Sequence, residues 1–404
     1  MTYQALVYSY NIYLHPLKRY PGPRICAASA LPLIRQSLKG NAVLWMVRLH
    51  QEYGEVVRVS PNELSFNSAG AWKDIYGHRK SDRGALQKDP RFYQGSAAND
   101  VVDIINANDA DHGNIRRVFA NAFSDRALKK QESLFLTHVD KLISLLGKDA
   151  VLSPSRMVNM VDMFNFTTFD IMGDLAFGET LNMLDESGYH PWVSAVFANF
   201  RFGTYLHCIR YFPSLENVLL QFVPRSLKTK QKMHGSFSQS RVDRRLEKQD
   251  ARPDIWGLVL QRGDCEVSMS RLQMYAHSNL FMIAGTETTA TLLSGLLYYL
   301  LTNREKLARL TVEIRGAFEN ECTITIERLQ SLKYLQACID EGLRMYPPIS
   351  NGLPRLVPSV MLMDWMDWIW GSIQSIQQGP EHQSSRSNAY PIPDWETWHT
   401  TSFP

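Results

Sequence analysis

The chain has 404 residues, of which 45% are hydrophobic and 21% are charged, and its net charge at pH 7 is +3. This composition is that of a folded globular protein and excludes an intrinsically disordered chain. Because the sequence has no concentrated basic stripe, nucleic acid is not predicted as a partner. The five cysteines contain no C-x-x-C spacing, so neither a zinc site nor a disulfide framework is predicted, and no residue is assigned as a metal ligand.

Residues 1–23 combine a short apolar stretch with a proline-rich segment. Only the residues before His15 and Pro16 are apolar, and tyrosine, asparagine and glutamine dilute them. A membrane-spanning helix needs about 20 apolar residues, so this stretch is too short for one. It also lacks the basic start and the cleavage site of a signal peptide. The sequence Pro21-Gly22-Pro23 predicts a stiff hinge.

The next stretch predicts a helix, a hairpin and a long irregular segment. Residues 41–53 have a helical pattern that ends at Gly54. The β-branched and apolar residues between 56 and 66 surround a turn sequence and predict a small hairpin. Residues 78–110 are charged and contain scattered glycines, so we expect them to be mostly irregular.

Three helices are predicted in the following part of the chain. The first is expected to start at Asp111 and to carry His112 and Arg116 four residues apart on one face. Taken alone, this pattern is also that of a solvated helix start. Residues 126–147 are amphipathic and predict a surface helix, and residues 159–178 predict a buried one.

Residues 270–301 predict a long central helix. Ser270 and Gln273 have the spacing of a capping box, which predicts the start of the helix. Apolar residues follow with almost no charge, and at about 1.5 Å per residue the helix would be roughly 48 Å long. A helix that is apolar on most sides belongs in the interior of a large protein.

The middle of this helix contains residues that do not suit a buried helix. Gly285 lowers helix propensity, Thr288 is conformationally stiff, and Glu287 would be a lone carboxylate in an apolar setting. A local conflict of this kind is expected at a functional site. The alternative is a kinked core helix whose threonine hydroxyls bond to carbonyls one turn earlier. The residues alone leave both interpretations open.

Two further helical patterns follow the central helix. Residues 302–305 have capping-box spacing and predict a helix start. Apolar residues from Leu329 to Ile339 line one face of a helix that also carries Glu341 and Arg344. This helix is expected to stop at Tyr346-Pro347-Pro348, because proline cannot continue it. A Glu-x-x-Arg pair alone is weak evidence, since such pairs occur on many helices.

In their order and spacing, these motifs resemble those of the cytochrome P450 family, the haem-thiolate monooxygenases. Residues 284–289 resemble the family's oxygen-activation helix, and residues 111–117 resemble the helix that contacts the haem propionates. The Glu-x-x-Arg pair followed by Tyr-Pro-Pro, and residues 169–178, also match the family, the latter its fungal members. The resemblance covers residues 11–358. It implies a mainly α fold with a small β-rich lobe near the N-terminus.

The resemblance also assigns roles to the residues of the central helix. Glu287 and Thr288 would relay protons to dioxygen at the iron, since cleavage of the O–O bond needs timed proton delivery in a dry pocket. Gly285, together with Ala284, would leave room for oxygen and substrate.

The other assignments concern the edge of the haem. His112, Arg116 and Arg355 would bind the propionates, because a bidentate guanidinium suits a carboxylate. Glu341 and Arg344 would form a buried structural pair behind the haem.

The resemblance ends after Pro358. Residues 359–404 carry five of the nine tryptophans, contain no lysine and have no regular period, so we expect a poorly ordered tail. A misread exon, a retained intron or a frameshift would produce such a sequence, and a specialised interaction tail is the alternative. We therefore divide the chain into an anchor remnant with its hinge (1–23), a partial cytochrome P450-like domain (24–358) and the tail (359–404).

The family holds its iron by a cysteine thiolate in a glycine-rich loop near the C-terminus, and this ligand promotes O–O cleavage. No cysteine follows Cys338 in this sequence. Cys338 itself lies on the predicted helix of Glu341. We therefore expect the proximal part of the fold to be missing and the 404 residues alone to retain little or no haem.

The resemblance implies a haem-dependent monooxygenase that takes electrons from an NADPH-dependent cytochrome reductase. The pattern is closest to fungal secondary-metabolism members such as trichothecene-type hydroxylases, which implies a lipophilic terpenoid or polyketide substrate. It further implies the cytosolic face of the endoplasmic reticulum membrane, although a complete anchor is not expected in this chain. Two alternatives are a non-catalytic remnant that binds an apolar ligand without haem, and an unrelated helical scaffold.

Overall fold

A computed structural model of the chain describes residues 2–77, 86–93, 101–152, 157–248, 252–260 and 269–357. The predicted tail, residues 359–404, lies outside the described residues. So does most of the loop sequence between residues 78 and 100.

The described residues fold into helices and two small sheets. The helices are α1 Thr2–Tyr13, α2 Arg24–Ala28, α3 Leu31–Leu38, α4 Ala42–Tyr53, α5 Ala69–Tyr76, α6 Pro90–Tyr93, α7 Asp109–Phe119, α8 Asp125–Leu152, α9 Met160–Phe177, α10 Met183–Glu186, α11 Val193–Ile209, α12 Glu216–Leu219, α13 Arg225–Glu247, α14 Ile255–Leu260, α15 Arg271–Thr302, α16 Arg304–Ala317, α17 Ile326–Gln330 and α18 Lys333–Met345. The strands are β1 Val56–Ser60, β2 Glu63–Phe66, β3 Gln87–Lys88 and β4 Arg355–Leu356. The prediction of a mainly α fold with a small β lobe near the N-terminus is confirmed.

The two small sheets are both antiparallel pairs. Strands β1 and β2 form the predicted hairpin, in which Val56 pairs with Phe66. Strand β3 pairs with β4, so that Lys88 lies opposite Arg355. This second pairing joins a segment expected to be irregular to the end of the described chain, and it places two basic residues side by side.

Helices α9 and α15 form the centre of the main core. Helix α9 is buried on nearly all sides, as its apolar sequence predicts. Phe169 and Phe177 of α9 pack in one cluster with Trp192, Trp256 and residues of α15. The indole Nε1 of Trp256 donates to Ser278 Oγ at 2.9 Å, which satisfies the polar atom of a fully buried ring. The predicted buried helix therefore packs against the predicted central helix.

Buried charges connect this core to the segment before α14. Arg245 and Asp254 form an ion pair with an Nε–Oδ2 distance of 2.6 Å, and their side chains are only 4% and 1% exposed. Asp254 Oδ1 also accepts a hydrogen bond from the backbone amide of Gly257 at 2.7 Å. Because both charges are removed from water, either one without its partner is costly.

Gly178 ends α9 in the left-handed conformation, with a φ of 67°. A Cβ at this position would lie 2.5 Å from Cδ of Arg245, so the residue needs glycine for both its backbone and its close packing.

We therefore expect Gly178→Ala to lower the free energy of unfolding by about 2 kcal/mol, through backbone strain and steric overlap. Chemical denaturation followed by circular dichroism measures the change. Gly235→Ala in α13 is the matched control, because its Cβ would meet no described atom within 4 Å. Replacing a glycine inside a helix there is expected to be neutral or stabilising. Equal effects of the two substitutions would show that neither the backbone conformation nor the packing at position 178 requires glycine.

Several predicted helices are confirmed with shifted ends. Helix α4 ends at Tyr53 before Gly54, as expected. The helix predicted from Asp111 begins at Asp109 instead, because the Asn108 side chain accepts a hydrogen bond from the Asp111 amide and caps it. The predicted surface helix is confirmed as α8 and extends to Leu152.

The capping box predicted at residues 302–305 is wrong. Helix α15 continues through Thr302, whose hydroxyl donates to the carbonyl oxygen of Tyr298 at 2.9 Å. The Asn303 side-chain amide donates to the carbonyl oxygen of Tyr299 at 2.8 Å. Both side chains therefore bond to the last turn of α15 instead of the first turn of α16.

The single helix predicted from Leu329 to Tyr346 is also wrong, since it is divided into α17 and α18. The division has a tertiary cause. The Glu313 carboxylate of α16 accepts hydrogen bonds from the backbone amides of Tyr334 and Leu335, both at 2.9 Å. It thus caps the start of α18 from a distance, which no local sequence signal indicates.

Of the described helices, α15 alone is long and apolar enough to cross a membrane by length and composition. A core helix of a soluble fold passes the same test, and α15 packs against α9 in the core described above.

Candidate active site

The predicted central helix is confirmed as α15, which starts with the predicted capping box at Ser270 and Gln273. Its middle carries hydroxyls that bond to carbonyls one turn earlier. Thr286 Oγ1 donates to the carbonyl oxygen of Met282 at 2.7 Å, and Thr288 Oγ1 donates to that of Ala284 at 2.6 Å. The hydroxyl of Thr288 thus donates to its own helix, and its oxygen can still accept a hydrogen bond.

Glu287 is the half-buried carboxyl of this helix. Burial raises its pKa to about 7, because removal from water disfavours the charged form. Its Oε1 atom is buried without a hydrogen-bond partner among the described residues. A carboxyl with these properties is close to half-protonated at neutral pH and can both give and take a proton.

Glu287 and Thr288 project in different directions, because neighbouring helix residues are rotated by about 100°. No hydrogen bond joins their side chains in the described structure. The structure therefore places the acid and the alcohol next to each other in sequence without a preformed direct contact, and their joint relay stays a prediction.

Gly285 faces α9. A Cβ at this position would lie 2.4 Å from the sulfur of Met172, so the missing side chain allows the two helices to approach closely. Ala284, in contrast, is exposed and lies one turn before Thr288 on the same face. Of the two residues, Ala284 is therefore the one whose surface is open to solvent.

Aromatic contacts connect this part of α15 to α7. The rings of Phe119 and Phe281 lie 5.0 Å apart edge to face, and those of Phe123 and Phe281 lie 5.5 Å apart. His277 also contacts Phe119, and its Nε2 accepts a hydrogen bond from the backbone amide of Ile104 at 3.2 Å. The face of α15 that leads to Ala284 is thus bordered by the helix that carries His112 and Arg116.

Basic side chains gather beside α7. Burial and then the charges of Lys88 and Arg116 lower the pKa of His112. Burial and then the charge of Arg355 lower the pKa of Lys88. The guanidinium of Arg355 is held by Tyr93 Oη at 2.7 Å and lies over the ring of Tyr76, 5.1 Å from its centroid.

A basic cluster is therefore formed by four positive or protonatable side chains, Lys88, His112, Arg116 and Arg355. Such a cluster suits a ligand with carboxylates. The three residues predicted from sequence, His112, Arg116 and Arg355, belong to it. Lys88 was missed, because it lies in a stretch expected to be irregular and has no distinctive sequence signal.

The predicted pair of Glu341 and Arg344 forms with two contacts of 2.7 Å. The expectation that it is buried is wrong, because the two side chains are 59% and 61% exposed. Of the residues of α18, Gly342 is buried against Leu292 and Leu296 of α15, whereas the pair is exposed to solvent.

The comparison with known proteins agrees with the sequence motifs. A sequence model of the family described as Cytochrome P450 matches residues 21–364. The chain belongs to the cytochrome P450 family.

The relatives include fungal proteins that match most of the chain. The cytochrome P450 monooxygenase efuB of Hormonema carpetanum is 46% identical over 360 residues, which cover 89% of this chain and 71% of that protein. The cytochrome P450 monooxygenase astA of Talaromyces wortmannii is 41% identical and covers the same shares. The cytochrome P450 monooxygenase FUM2 of Gibberella moniliformis is 43% identical over 86% of this chain and 74% of its own length.

Membership of the cytochrome P450 family implies a haem cofactor and a reductase that donates electrons. The described residues fit two sides of a haem. The basic cluster of Lys88, His112, Arg116 and Arg355 suits its propionates, and the small side chain of Ala284 leaves the face of α15 open.

The thiols of the described cysteines do not fit the proximal side. Burial raises the pKa values of Cys26 and Cys208 to about 11, so both are neutral at pH 7. Burial, followed by the charge of Glu313, also raises the pKa of Cys338. Cys26 and Cys208 are 1% and 5% exposed, so neither thiol is accessible to a haem, and Cys338 lies in the middle of α18 instead of a glycine-rich loop.

Proposed function

We propose that the chain carries the distal side of a cytochrome P450-type monooxygenase site, which oxidises a lipophilic small molecule. The single observation that supports this function best is Glu287, a half-buried carboxyl on the central helix of a family member, whose Oε1 atom has no partner among the described residues and whose pKa is raised to about 7. The relatives named above are monooxygenases by their names, which supports the same reaction class.

In this proposal, residues of the chain would hold the propionate edge of the haem, and others would supply or accept protons. Arg116, Arg355 and Lys88 would hold the propionates through charge-assisted hydrogen bonds, and His112 would add a donor. When haem is bound, it supplies the iron at which dioxygen is activated. Glu287 holds a proton near neutral pH, and the oxygen of Thr288 accepts hydrogen bonds at the face that Ala284 leaves open.

Phe119 is buried and packs edge to face on Phe281 beside the same face, and it shields that border from water, which strengthens electrostatic interactions there. Gly285 has a positioning role, because it lets α15 lie close to Met172 of α9.

The proposed substrate is a terpenoid or polyketide of a fungal secondary pathway, by analogy with the family members that the motifs resemble. The proposed electron donor is an NADPH-cytochrome reductase, and no nucleic-acid partner is proposed.

A membrane surface at the cytosolic face of the endoplasmic reticulum is the proposed location. Two stretches of exposed apolar side chains support it: one is α1, where Tyr3 and Leu6 are 76% and 68% exposed, and the other precedes α13, where Phe222 is 78% exposed.

The proposal is tested by adding haemin and a small alkanethiol to the purified chain, since the thiol can supply the axial thiolate. After haemin and thiol are added, reduction and carbon monoxide should give the absorption band of a thiolate-ligated haem. A chain that binds no haem under these conditions would contradict the proposal.

Variants in and beside the basic cluster serve as controls for this binding test. The double variant Arg116→Ala, Arg355→Ala should bind haemin roughly a hundredfold more weakly or worse, because each of the two lost charge-assisted hydrogen bonds contributes about 1.5–3 kcal/mol. Haemin dimethyl ester, which has no free propionates, should bind the parent and the double variant equally. Arg117→Ala, on the next residue of the same helix, should bind haemin like the parent.

A non-catalytic protein that holds an apolar ligand without haem is the alternative. The described thiols support it, since Cys26 and Cys208 are buried and Cys338 lies in the middle of α18. Formation of an oxidised product with reductase and NADPH would reject this alternative.

A further inference from the structure

The buried face of α13 carries two polar side chains one helical turn apart. His234 and Ser238 are 4% and 0% exposed, and they face the interior together with Val242. The indole of Trp192, which directly precedes α11, covers this face. Its ring stacks on His234 with the centroids 5.3 Å apart and on Phe237 with the centroids 4.4 Å apart. A polar patch is thus enclosed between α13 and the start of α11.

Four polar atoms of this patch have no hydrogen-bond partner among the described residues. They are Nδ1 and Nε2 of His234, Oγ of Ser238 and Nε1 of Trp192, and all four are buried. We call these three side chains the His234 cluster.

Other polar rings in the same core are satisfied by the protein itself. The indole Nε1 of Trp256 donates to Ser278 Oγ at 2.9 Å. His277 bonds through Nδ1 to the carbonyl oxygen of Gln273 at 2.7 Å. Because nearly all buried polar groups in folded proteins have a partner, the His234 cluster needs one that the described residues do not supply.

The chemistry of the cluster indicates a small neutral partner. Burial lowers the pKa of His234 to about 4, so its imidazole is neutral at pH 7 and offers one donor and one acceptor. The indole donates, and the hydroxyl of Ser238 both donates and accepts. Arg241, one turn further along α13, is already paired with Glu179 at 3.1 Å. The cluster therefore contains no charge that would select an ion, and it offers the two to four polar contacts that a buried water molecule makes.

We propose that the His234 cluster binds at least one ordered water molecule between α13 and Trp192. The water oxygen accepts a hydrogen bond from the indole Nε1, and the water donates to the acceptor nitrogen of His234 or to Ser238 Oγ. The water thus joins two elements whose polar atoms do not bond to each other directly. This inference goes beyond the proposed function and is independent of it, because the site involves no haem.

Ultraviolet resonance Raman spectroscopy of the whole chain tests whether the indole of Trp192 is hydrogen-bonded, because one indole band shifts when the N–H group bonds. The chain has nine tryptophans, so the spectrum of Trp192→Phe is subtracted from that of the parent to isolate one ring. The matched reference is Trp256→Phe, whose difference spectrum reports an indole bonded to Ser278. We expect both difference spectra to show the bonded position. The position of a free indole for Trp192 would overturn the proposal.

Oxygen-17 relaxation dispersion of the solvent tests whether the partner is water, because it counts the water molecules that stay bound inside the protein. The double variant His234→Phe, Ser238→Ala removes the polar atoms of α13 and keeps a ring on which Trp192 can stack. We expect the parent to hold at least one long-lived water molecule more than this variant. Ser240→Ala is the matched control, because this exposed hydroxyl of α13 donates to the carbonyl oxygen of Phe237 at 2.8 Å. It should hold as many water molecules as the parent.

Equal water counts in the parent and the double variant would contradict the proposal even if the indole is bonded, since the bond would then go to a side chain. Circular dichroism checks that the variants fold, and the two measurements use different substitutions. Failure of haem binding would count against the proposed function and leave this result standing, because neither measurement needs haem.

Discussion

Replacing Asp254 with alanine is expected to lower the free energy of unfolding by about 3–5 kcal/mol, which is the cost of removing one partner of a buried ion pair. Arg245 would lose its carboxylate partner while its side chain stays 4% exposed. The amide of Gly257 would lose its acceptor as well. Denaturation with urea, followed by circular dichroism, measures the shift of the midpoint.

The control for this variant is an ion pair on the surface. Lys129 and Glu327 lie 3.2 Å apart, with side chains 74% and 79% exposed. Glu327→Ala should change the free energy of unfolding by less than about 1 kcal/mol, because water screens the pair. If Asp254→Ala were no more destabilising than Glu327→Ala, the buried pair would not hold the segment before α14.

Glu287→Gln is expected to stabilise the fold at alkaline pH by about 2 kcal/mol, after a discount for the partial solvent exposure of the carboxyl. The pKa of Glu287 is raised from 4.5 to about 7 in the fold, so the folded chain binds a proton that the unfolded chain has released. This carboxyl therefore contributes stability below pH 4.5, and the contribution is lost as the pH rises through 7. Glutamine stays neutral and removes the loss.

Unfolding measured between about pH 4 and pH 9 tests this sign, because this range covers the window between the unfolded and the folded pKa of Glu287. The advantage of the variant should grow as the pH rises from 4.5 to about 7 and should stay constant above that. Glu341→Gln is the control, because hydrogen bonding to Arg344 lowers the pKa of Glu341 and the pair is exposed. A variant at position 287 whose advantage does not change with pH would show that Glu287 is not held in a dry environment.

The sequence predicted those parts of the fold that local signals specify. The capping box at Ser270 and Gln273, the apolar run of α15 and the turn of the β1–β2 hairpin each act over a few residues. The start of α18 was missed, since the Glu313 carboxylate that caps it is about twenty residues away in the chain. Tertiary contacts of this kind leave no local pattern.

The candidate site was predicted only in part, because it also depends on tertiary contacts. Glu287 was found because a carboxyl inside an apolar helix conflicts with its surroundings. Lys88 was not found, because a lysine in a stretch expected to be irregular is ordinary in sequence. Its place beside Arg355 depends on the pairing of β3 with β4, which the local sequence does not reveal. The exposure of Glu341 and Arg344 likewise depends on what covers α18.

The central claim is that the face of α15 at Ala284 borders the haem, and one titration tests it most directly. Haemin is added, with alkanethiol, to the parent chain and to Ala284→Trp and Thr289→Trp, and binding is followed by visible absorbance. Both positions are exposed, and they are rotated by about 140° from each other around the helix. Tryptophan at position 284 should abolish binding, and tryptophan at position 289 should leave it unchanged. Equal binding by all three proteins would contradict the account.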